Sequence, residues 1–341
     1  MIVIGFESSC DETAVSIIKR GKENKVLSEE IKSQIPLHKK YGGIVPEIAS
    51  RSHYEAIDIL TKDALKKANL KPEDIDLISV TQGPGLIGSL LVGLLFAKSF
   101  AYTLKKPLVG VDHILSHVES AFITNQDIEY PLIALIVSGG HTTLFYFKSK
   151  FEYEILSKTR DDAAGEVMDK VCKFLDLGYP GGPIIDKRYK EELSKEFKFT
   201  IPKMSDGSND YSFSGYKTAF IRYAQKYNIN KDSKEVDSLL SGFLSSIVDY
   251  LLLKINNSAK ELKPRSIIIS GGVSRNSLLR RRFKLLCEDL NVKGFMPEGK
   301  YCTDNATMVA WYGYEKYISF KEKNYYDYSI NSYSRFLHIS K

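Results

Sequence analysis

Residues 132–147 read Leu-Ile-Ala-Leu-Ile-Val-Ser-Gly-Gly-His-Thr-Thr-Leu-Phe-Tyr-Phe. Two apolar runs flank a small-residue segment at 138–143, and this pattern predicts a buried strand, a tight glycine turn and a second strand. Such a turn gathers backbone N–H groups and small hydroxyls at one point, which suits a phosphate or another anion. A Gly-Gly turn taken alone is more often only a hairpin.

The same device occurs twice more in the chain. Residues 2–18 place the polar segment Glu-Ser-Ser-Cys-Asp-Glu between two apolar runs. Residues 266–278 pass from Ser-Ile-Ile-Ile through Ser-Gly-Gly into a helix predicted to begin near Asn276. Three small-residue loops, each at the end of a strand, predict one nucleotide held between two halves of the chain.

Hydrophobic periodicity predicts the element order β-β-β-α-β-α-β-α in the first half and a second copy of it from Leu132 onward. The second copy includes four successive helices, one of them predicted over residues 184–197. A duplication of this kind predicts two α/β domains that face each other across a cleft.

The predicted domain boundaries follow from this repeat. Residues 1–130 form the first domain, and residues 131–304 form the second, which carries a helical insertion. A helix over 305–320 is predicted to pack back on the first domain. Residues 321–341 are predicted to be a surface tail, to which no function is assigned.

Bulk composition narrows the class of protein. The chain has 341 residues, 43% hydrophobic and 26% charged, which is typical of a soluble globular protein with two domains. Its net charge of +6 permits a nucleic-acid partner without requiring one. The four cysteines include no C-x-x-C pair, which favours a reducing compartment and argues against a disulfide scaffold or a zinc ribbon.

Targeting and membrane signals are not evident. Met1 leads directly into a predicted strand, so no leader segment is expected. The long apolar run at 86–104 contains Lys98 and is interrupted by Gly88, Ser89 and Gly93. It therefore predicts a buried core helix and not a membrane span. A cytoplasmic protein without membrane contact is predicted.

A histidine pair is the strongest metal-binding signal. His113 and His117 are four residues apart, so on a helix both imidazoles project from one face. Two unrelated helix histidines are the commoner explanation of a bare H-x-x-x-H. A zinc protease of the zincin type needs a glutamate directly after the first histidine, and Ile114 stands there. A third metal ligand must come from elsewhere in the chain.

Seven motifs occur in the order typical of one family. They are Glu-Ser-Ser-Cys-Asp-Glu-Thr at 7–13, Gly-Pro-Gly-Leu-Ile-Gly at 83–88, Asp-His-Ile-Leu-Ser-His at 112–117, Val-Ser-Gly-Gly-His-Thr at 137–142, Gly-Tyr-Pro-Gly-Gly-Pro at 178–183, Ser-Phe-Ser-Gly at 212–215 and Cys-Thr-Asp-Asn at 302–305. With them the chain resembles the bacterial tRNA threonylcarbamoyladenosine transferase family (TsaD, once described as an O-sialoglycoprotein endopeptidase), from Ile2 to about Phe320. The resemblance implies the duplicated RNase H-like fold of actin, the sugar kinases and the heat-shock ATPases.

The resemblance also implies site residues. It makes Asp304 the third ligand of one divalent metal. Two histidines and a carboxylate suit Fe(II), which is the metal expected first, or Zn(II). It places the phosphate or acyl region of a nucleotide at Ile136, Val137, Ser138, Gly139 and Gly140. It places the ribose and adenine at Asp169, Gly182, Asp186 and Asn276. Either aspartate alone would more commonly be a solvated helix residue.

Two acids in the first turn are candidate catalytic residues. Asp11 and Glu12 are expected to face the cleft, as a base or as orienting groups. As turn acids, either could equally be an Asx-type cap. The two are assigned jointly to catalysis, without separate roles.

The implied reaction moves the threonylcarbamoyl group from threonylcarbamoyl-AMP to N6 of the adenosine 3′ to the anticodon, in tRNAs that read codons beginning with A, and releases AMP. The implied partners, besides tRNA, are a shortened paralogue that lacks the metal site (TsaB-like) and a P-loop ATPase (TsaE-like).

The basic run at 280–284 is by default a solvated helix face, and tRNA phosphate binding is its alternative. Rival functions are an actin-like ATPase or small-molecule kinase, a catalytically silent nucleotide-binding scaffold and, weakest, a metalloprotease.

Overall fold

The structure is a computed structural model that describes residues 1–202, 204 and 206–335. The chain forms two compact units: one comprises Met1–Ile123 and the described part of Asp304–Lys341, the other Thr124–Thr303. The strands are β1 (Ile2–Glu7), β2 (Glu12–Lys19), β3 (Lys25–Ser33), β4 (Leu77–Gly83), β5 (Leu108–Asp112), β6 (Leu132–Val137), β7 (Thr142–Ser149), β8 (Glu152–Lys158), β9 (Ser266–Ser270) and β10 (Lys293–Phe295). The α-helices are α1 (Ile35–Lys39), α2 (Pro46–Ala68), α3 (Ile87–Leu104), α4 (His113–Glu119), α5 (Ala164–Phe174), α6 (Gly181–Arg188), α7 (Ser214–Lys226), α8 (Val236–Leu262), α9 (Ser277–Leu290), α10 (Gly299–Cys302) and α11 (Ala306–Ser319).

The first unit is built on a five-stranded sheet in the order β3-β2-β1-β4-β5. The first three strands are antiparallel, and β4 and β5 continue in parallel with β1. Alternate residues of β1, such as Ile4 and Phe6, pack with apolar residues of α2 and α3. The opposite face is covered by α11. Because helices cover both faces, the central strands are buried along most of their length, as their apolar sequences require.

The second unit repeats this arrangement. Its sheet has the order β8-β7-β6-β9-β10, in which three antiparallel strands are followed by two parallel ones. The 27-residue helix α8 contributes many of the buried side chains of the core. The predicted duplication of the β-β-β-α-β-α-β-α order is therefore confirmed by the two sheets.

The helix predicted over residues 184–197 is wrong in both position and length. The structure begins α6 at Gly181 and ends it at Arg188. Beyond that point the chain is held against α8: the Lys190 N–H donates to Ser241 Oγ at 3.0 Å. At Gly242 a Cβ atom would lie 2.2 Å from the carbonyl oxygen of Phe197, so the two segments touch through backbone. These tertiary contacts, which local periodicity does not record, replace the intrahelical hydrogen bonds.

Two helices, α3 and α8, are long and apolar enough to cross a membrane by length and composition alone. In α8 most of the apolar residues are buried inside the protein. In α3 only one face is buried, whereas Ile87, Leu91 and Leu95 are 44–59% exposed. The prediction of a buried core helix at 86–104 therefore holds for one face of α3 and is wrong for the other.

The close packing of β1 on α11 depends on Gly5. A Cβ atom at this position would lie 2.5 Å from the Ala306 carbonyl oxygen and 2.7 Å from the Ala310 nitrogen. Both are backbone atoms, which cannot rotate away as a side chain can. The sheet and the helix that follows Asp304 therefore approach each other at a distance that only glycine allows.

We expect Gly5→Ala to lower the free energy of unfolding by about 1–3 kcal/mol, the usual cost of forcing extra volume into a packed core. The midpoint of urea denaturation of the intact chain measures this. Gly215→Ala is the matched control, because a Cβ atom there meets nothing within 4 Å and the residue lies in α7. Equal midpoints for the two variants would contradict the packing argument.

Candidate metal centre and nucleotide site

Helix α4 brings the two histidines of the H-x-x-x-H motif together. Asp112 is its N-cap, and its Oδ1 accepts a hydrogen bond from the Leu115 N–H at 3.0 Å. The rings of His113 and His117 follow one turn apart, with centroids separated by 4.7 Å. Both side chains are buried. The predicted helix and its histidine face are therefore present.

Asp304 lies beside this pair, immediately before the Asn305 cap of α11. Its Oδ1 is 3.1 Å from His117 Nε2 and 3.5 Å from His113 Nε2. Within the described part of the chain, these three residues form the one group of metal-ligating side chains whose donor atoms all lie within 4.8 Å of one another. Two imidazole nitrogens and one carboxylate oxygen are a donor set that fits Fe(II) or Zn(II).

Glu7 is a member of this site that the motif analysis missed. Its carboxylate is fully buried and lies 3.1 Å from His113 Nδ1 through Oε2. The same oxygen accepts a hydrogen bond from the Thr81 hydroxyl at 2.6 Å, and Oε1 accepts one from the Ser9 N–H at 2.6 Å. A carboxylate that accepts from Nδ1–H fixes the tautomer, so the lone pair of the neutral ring is on Nε2, the atom that would bind a cation. The signal in the sequence was a glutamate at the end of an otherwise apolar strand.

The charges around the histidines give them opposite protonation tendencies. Burial disfavours the charged form of His113, but the carboxylates of Asp304 and Glu7 outweigh burial and raise its pKa to about 9. Burial lowers the pKa of His117, and the positive charge of His113 lowers it further. In the charged His113 ring the second proton is on Nε2, which faces Asp304, and a cation bound by these two residues would take its place.

Asp11 lies in the turn between β1 and β2, and Glu12 is the first residue of β2. Burial raises the pKa of Asp11, and the charge of Asp304 raises it further. Burial also raises the pKa of Glu12 well above its usual range, and repulsion by Asp11 and Asp304 adds to the effect. The structure therefore places both candidate catalytic acids close enough to Asp304 to interact with its charge.

A buried histidine that the motif analysis did not single out holds this turn in place. His53 Nδ1 lies 2.7 Å from the Thr13 hydroxyl oxygen, and Nε2 lies 3.1 Å from the Cys10 carbonyl oxygen. The Cys10 carbonyl oxygen can only accept, so Nε2 carries the hydrogen and the neutral ring accepts from the Thr13 hydroxyl through Nδ1. Burial lowers the pKa of His53, in agreement with a neutral ring.

In the second unit, the glycine turn lies between β6 and β7 as predicted. Ser138 N–H donates to the His141 carbonyl at 2.8 Å, and His141 N–H donates to Ser138 Oγ at 3.1 Å. Gly139 and Gly140 are exposed, and a Cβ atom on either would meet nothing within 4 Å. The tip of the turn is therefore open space bordered by backbone. Ile136 and Val137, by contrast, are strand residues with buried side chains.

Two of the predicted ribose- and adenine-binding residues contact each other. Asn276 Nδ2 donates to Asp186 Oδ1 at 2.9 Å, and the Ser277 N–H and hydroxyl also donate to this carboxylate. Asn276 Oδ1 accepts from the Leu279 N–H at 3.0 Å and caps α9. Asp186 therefore lies at the N-terminus of α9, where the helix dipole favours a negative charge.

Asp169 belongs to α5, and Gly182 is the second residue of α6. Asp169 Oδ1 accepts a hydrogen bond from the Gly181 N–H at 2.6 Å. Gly181 has no room for a side chain, because its Cβ would lie 2.4 Å from the Met168 carbonyl oxygen. Gly182 has open space instead, with only Met168 Sδ at 3.8 Å. The structure thus separates a glycine needed for packing from one that leaves room for a ligand; the nucleotide contacts themselves stay a prediction.

Comparison with solved structures identifies the fold. The chain is similar to T. kodakarensis HypF, with a TM-score of 0.60 and 13% identity, covering 92% of this chain and 47% of that one. It is also similar to component A of the Acidaminococcus fermentans (R)-2-hydroxyglutaryl-CoA dehydratase, with a TM-score of 0.53 and 15% identity over 93% and 98% of the two chains. The duplicated RNase H-like, actin-like ATPase fold is confirmed.

Comparison of sequences identifies the family. The family model described as TsaD, tRNA N6-adenosine threonylcarbamoyltransferase, matches residues 25–311. The tRNA N6-adenosine threonylcarbamoyltransferase of Thermosipho africanus is 48% identical and that of Clostridioides difficile 45% identical, covering 93% and 97% of this chain and 94% and 97% of the relatives. The chain belongs to this transferase family, and the predicted family and transferase activity are confirmed.

We expect the affinity of the histidine site for a divalent cation to rise with pH. A histidine must be neutral to bind a metal, and the pKa of His113 is about 9. The dissociation constant for Co(II) should therefore fall about tenfold per pH unit between pH 6 and 8 and level off near pH 9. His117 does not add to the pH dependence of the dissociation constant at neutral pH, because its pKa is lowered and the ring is already neutral.

Calorimetric titrations in two buffers of different ionisation enthalpy measure the same effect as protons released. About one proton per Co(II) is expected at pH 7. A dissociation constant that does not change over this pH range, with no proton release, would contradict the proposed competition between proton and cation.

Proposed function

We propose that this transferase uses threonylcarbamoyl-AMP as donor and the adenosine 3′ to the anticodon of tRNAs reading codons beginning with A as acceptor. The observation that carries the proposal is the convergence of His113, His117 and Asp304 in a chain of this family. A divalent cation held by these residues, Fe(II) or Zn(II), would supply a Lewis acid for a carbonyl oxygen of the donor. His113 is oriented for this by Glu7.

The second unit would hold the AMP half of the donor. The open turn at 138–140 offers backbone N–H groups and the Ser138 hydroxyl to the phosphate. Asp186 and Asp169 are carboxylates that can accept from ribose hydroxyls, and the space over Gly182 can admit a ring. Asn276 would orient Asp186 through their hydrogen bond.

In the transfer step, N6 of the adenosine attacks the carbamoyl carbon, the bond from that carbon to the phosphate oxygen breaks, and AMP leaves with the electron pair. N6 loses one proton, which we assign to the pair Asp11 and Glu12. Burial raises the pKa values of both carboxyls, and repulsion by Asp304 raises them further, which brings a carboxylate closer to the range useful for a base at neutral pH. Because the donor is an activated anhydride, positioning should supply most of the rate enhancement.

The activity test uses the purified chain with its partner proteins, labelled threonylcarbamoyl-AMP and tRNA. We expect His113→Ala to lower the amount of modified tRNA by at least about 100-fold, since changes in the shell around metal ligands already cost 10- to 100-fold. Asp11→Asn and Glu12→Gln should lower the single-turnover rate. The wild-type rate should decrease as the pH is lowered through the raised pKa of the pair, because a base must be deprotonated.

Asp58→Asn is the matched control for the two carboxyl-to-amide changes, since Asp58 is an exposed residue of α2. Full modification by His113→Ala would remove the metal from the mechanism. Rapid ATP turnover by the unaltered chain, without tRNA or partners, would instead favour the actin-like kinase or ATPase function.

The exposed face of α3 supports a protein partner. Ile87, Leu91 and Leu95 are spaced four residues apart and form one apolar stripe on the surface of the first unit. A row of exposed large apolar side chains is typical of an interaction surface. We assign this stripe to the shortened paralogue that lacks the metal site. We also propose a P-loop ATPase as a second protein partner. We further propose that the protein is cytoplasmic and has no membrane role.

The paired change Leu91→Glu and Leu95→Glu should weaken binding of the paralogue by about 100-fold, since each buried apolar anchor is worth at least about 1.4 kcal/mol, a factor of ten. Calorimetry with the two purified proteins measures this. Leu285→Glu is the control, because Leu285 is equally exposed on α9. Unchanged affinity of the paired variant would place the partner elsewhere.

Local pairing limits the contribution of the basic run to tRNA binding. The Arg281 guanidinium pairs with Glu191, and that of Arg282 pairs with Asp249 at 2.6 Å. Arg280 donates to the carbonyl oxygens of Ser274 and Pro297. These arginines pair with groups on the segments next to α9. We therefore retain the default interpretation of the basic run as a solvated helix face.

A further inference from the structure

The C-terminal segment 324–335 reaches the base of the metal-binding helix. The Tyr333 N–H donates to the Gln82 carbonyl oxygen at 3.0 Å, and its hydroxyl donates to Asp112 Oδ2 at 2.7 Å. Gly83 makes this approach possible, because a Cβ atom there would lie 2.2 Å from the Tyr333 carbonyl oxygen. Part of the tail that was assigned no function thus contacts Asp112, the residue that precedes His113.

The earlier part of the segment is fixed to the same unit. The Leu108 N–H donates to the Tyr325 carbonyl oxygen at 2.9 Å. The Tyr328 hydroxyl donates to the Lys106 carbonyl oxygen at 3.0 Å, and Ile330 packs against the core under β5. Three separate anchors therefore fix the path of the chain before it reaches Asp112.

Asp112 connects the end of β5 to the first turn of α4. Its Oδ1 caps the helix through the Leu115 N–H, and its carbonyl oxygen accepts from the Ser116 hydroxyl at 2.7 Å. Asp112 is 8% exposed. A buried carboxylate needs partners for both oxygens, and Tyr333 supplies the partner for Oδ2. The rotamer of Asp112, and with it the start of α4, therefore depends on the Tyr333 hydroxyl.

We propose that Tyr333 is a positioning residue of the His113, His117 and Asp304 site, and that segment 324–335 is a structural part of that site. The proposal rests on the metal site of the proposed function. Tyr333 acts on the site indirectly. Its hydroxyl orients Asp112, Asp112 fixes the first turn of α4, and that turn sets the direction of the His113 ring. Loss of the hydroxyl loosens the ligand geometry without removing a ligand.

The test is Tyr333→Phe in the full chain, with Co(II) as the probe metal. We expect a dissociation constant about tenfold higher, within the range found for residues that orient metal ligands, and a changed visible absorption spectrum of the bound Co(II). Tyr328→Phe is the matched control, because it removes a hydroxyl from the same segment whose partners are main-chain carbonyls away from α4. Its affinity and spectrum should equal those of the unaltered chain.

The melting temperature of the metal-free protein separates positioning from general stability. The two tyrosine variants should show similar shifts, so that only the metal-dependent measurements differ. Equal Co(II) affinity and spectrum in Tyr333→Phe and the unaltered chain would overturn the positioning role alone. Failure of the unaltered chain to bind Co(II) would overturn the metal site, and the inference with it.

Discussion

The candidate metal centre depends on one buried carboxylate. Glu7 ends the central strand β1 and is bound by groups from the following turn, from β4 and from α4. A fully buried carboxylate is costly unless its oxygens are satisfied and an opposite charge is near. Ser9, Thr81 and His113 meet these requirements, and His113 is thereby held in one orientation. The cost of burying Glu7 is thus coupled to the geometry that a cation would need.

The equivalent hairpin turns of the two units are held in different ways. In the first unit, the turn after β1 is buried and held from outside: Ser8 Oγ donates to the Ser89 carbonyl oxygen, and the Cys10 carbonyl oxygen accepts from His53. In the second unit, the turn at 138–141 is held mainly by its own hydrogen bonds, and its glycines are exposed. A turn held rigidly by side chains suits a buried acid such as Asp11. An open turn of bare backbone suits an anion.

Hydrophobic periodicity and turn residues were sufficient to predict the strands, most helices and the repeat. Each of those elements buries one face, and the spacing of its apolar residues identifies that face. The helix at 184–197 was wrong because contacts to α8 replace its hydrogen bonds. The i, i+4 spacing predicted that His113 and His117 share a face. It could not place Asp304, which comes from 187 residues further along the chain than His117; only the family resemblance supplied that residue.

Glu7 and Tyr333 were missed for a related reason. Each acts on the site through a partner that is remote in sequence, and neither belongs to a spacing pattern that a helix or strand would impose. Glu7 lies 106 residues from His113, and Tyr333 lies 221 residues from Asp112. Sequence patterns report which residues share an element, whereas the orientation of a ligand is set where elements cross. The histidines were therefore recognisable in the sequence, but the groups that aim them became visible only once the sheet, α4 and the C-terminal segment were seen together.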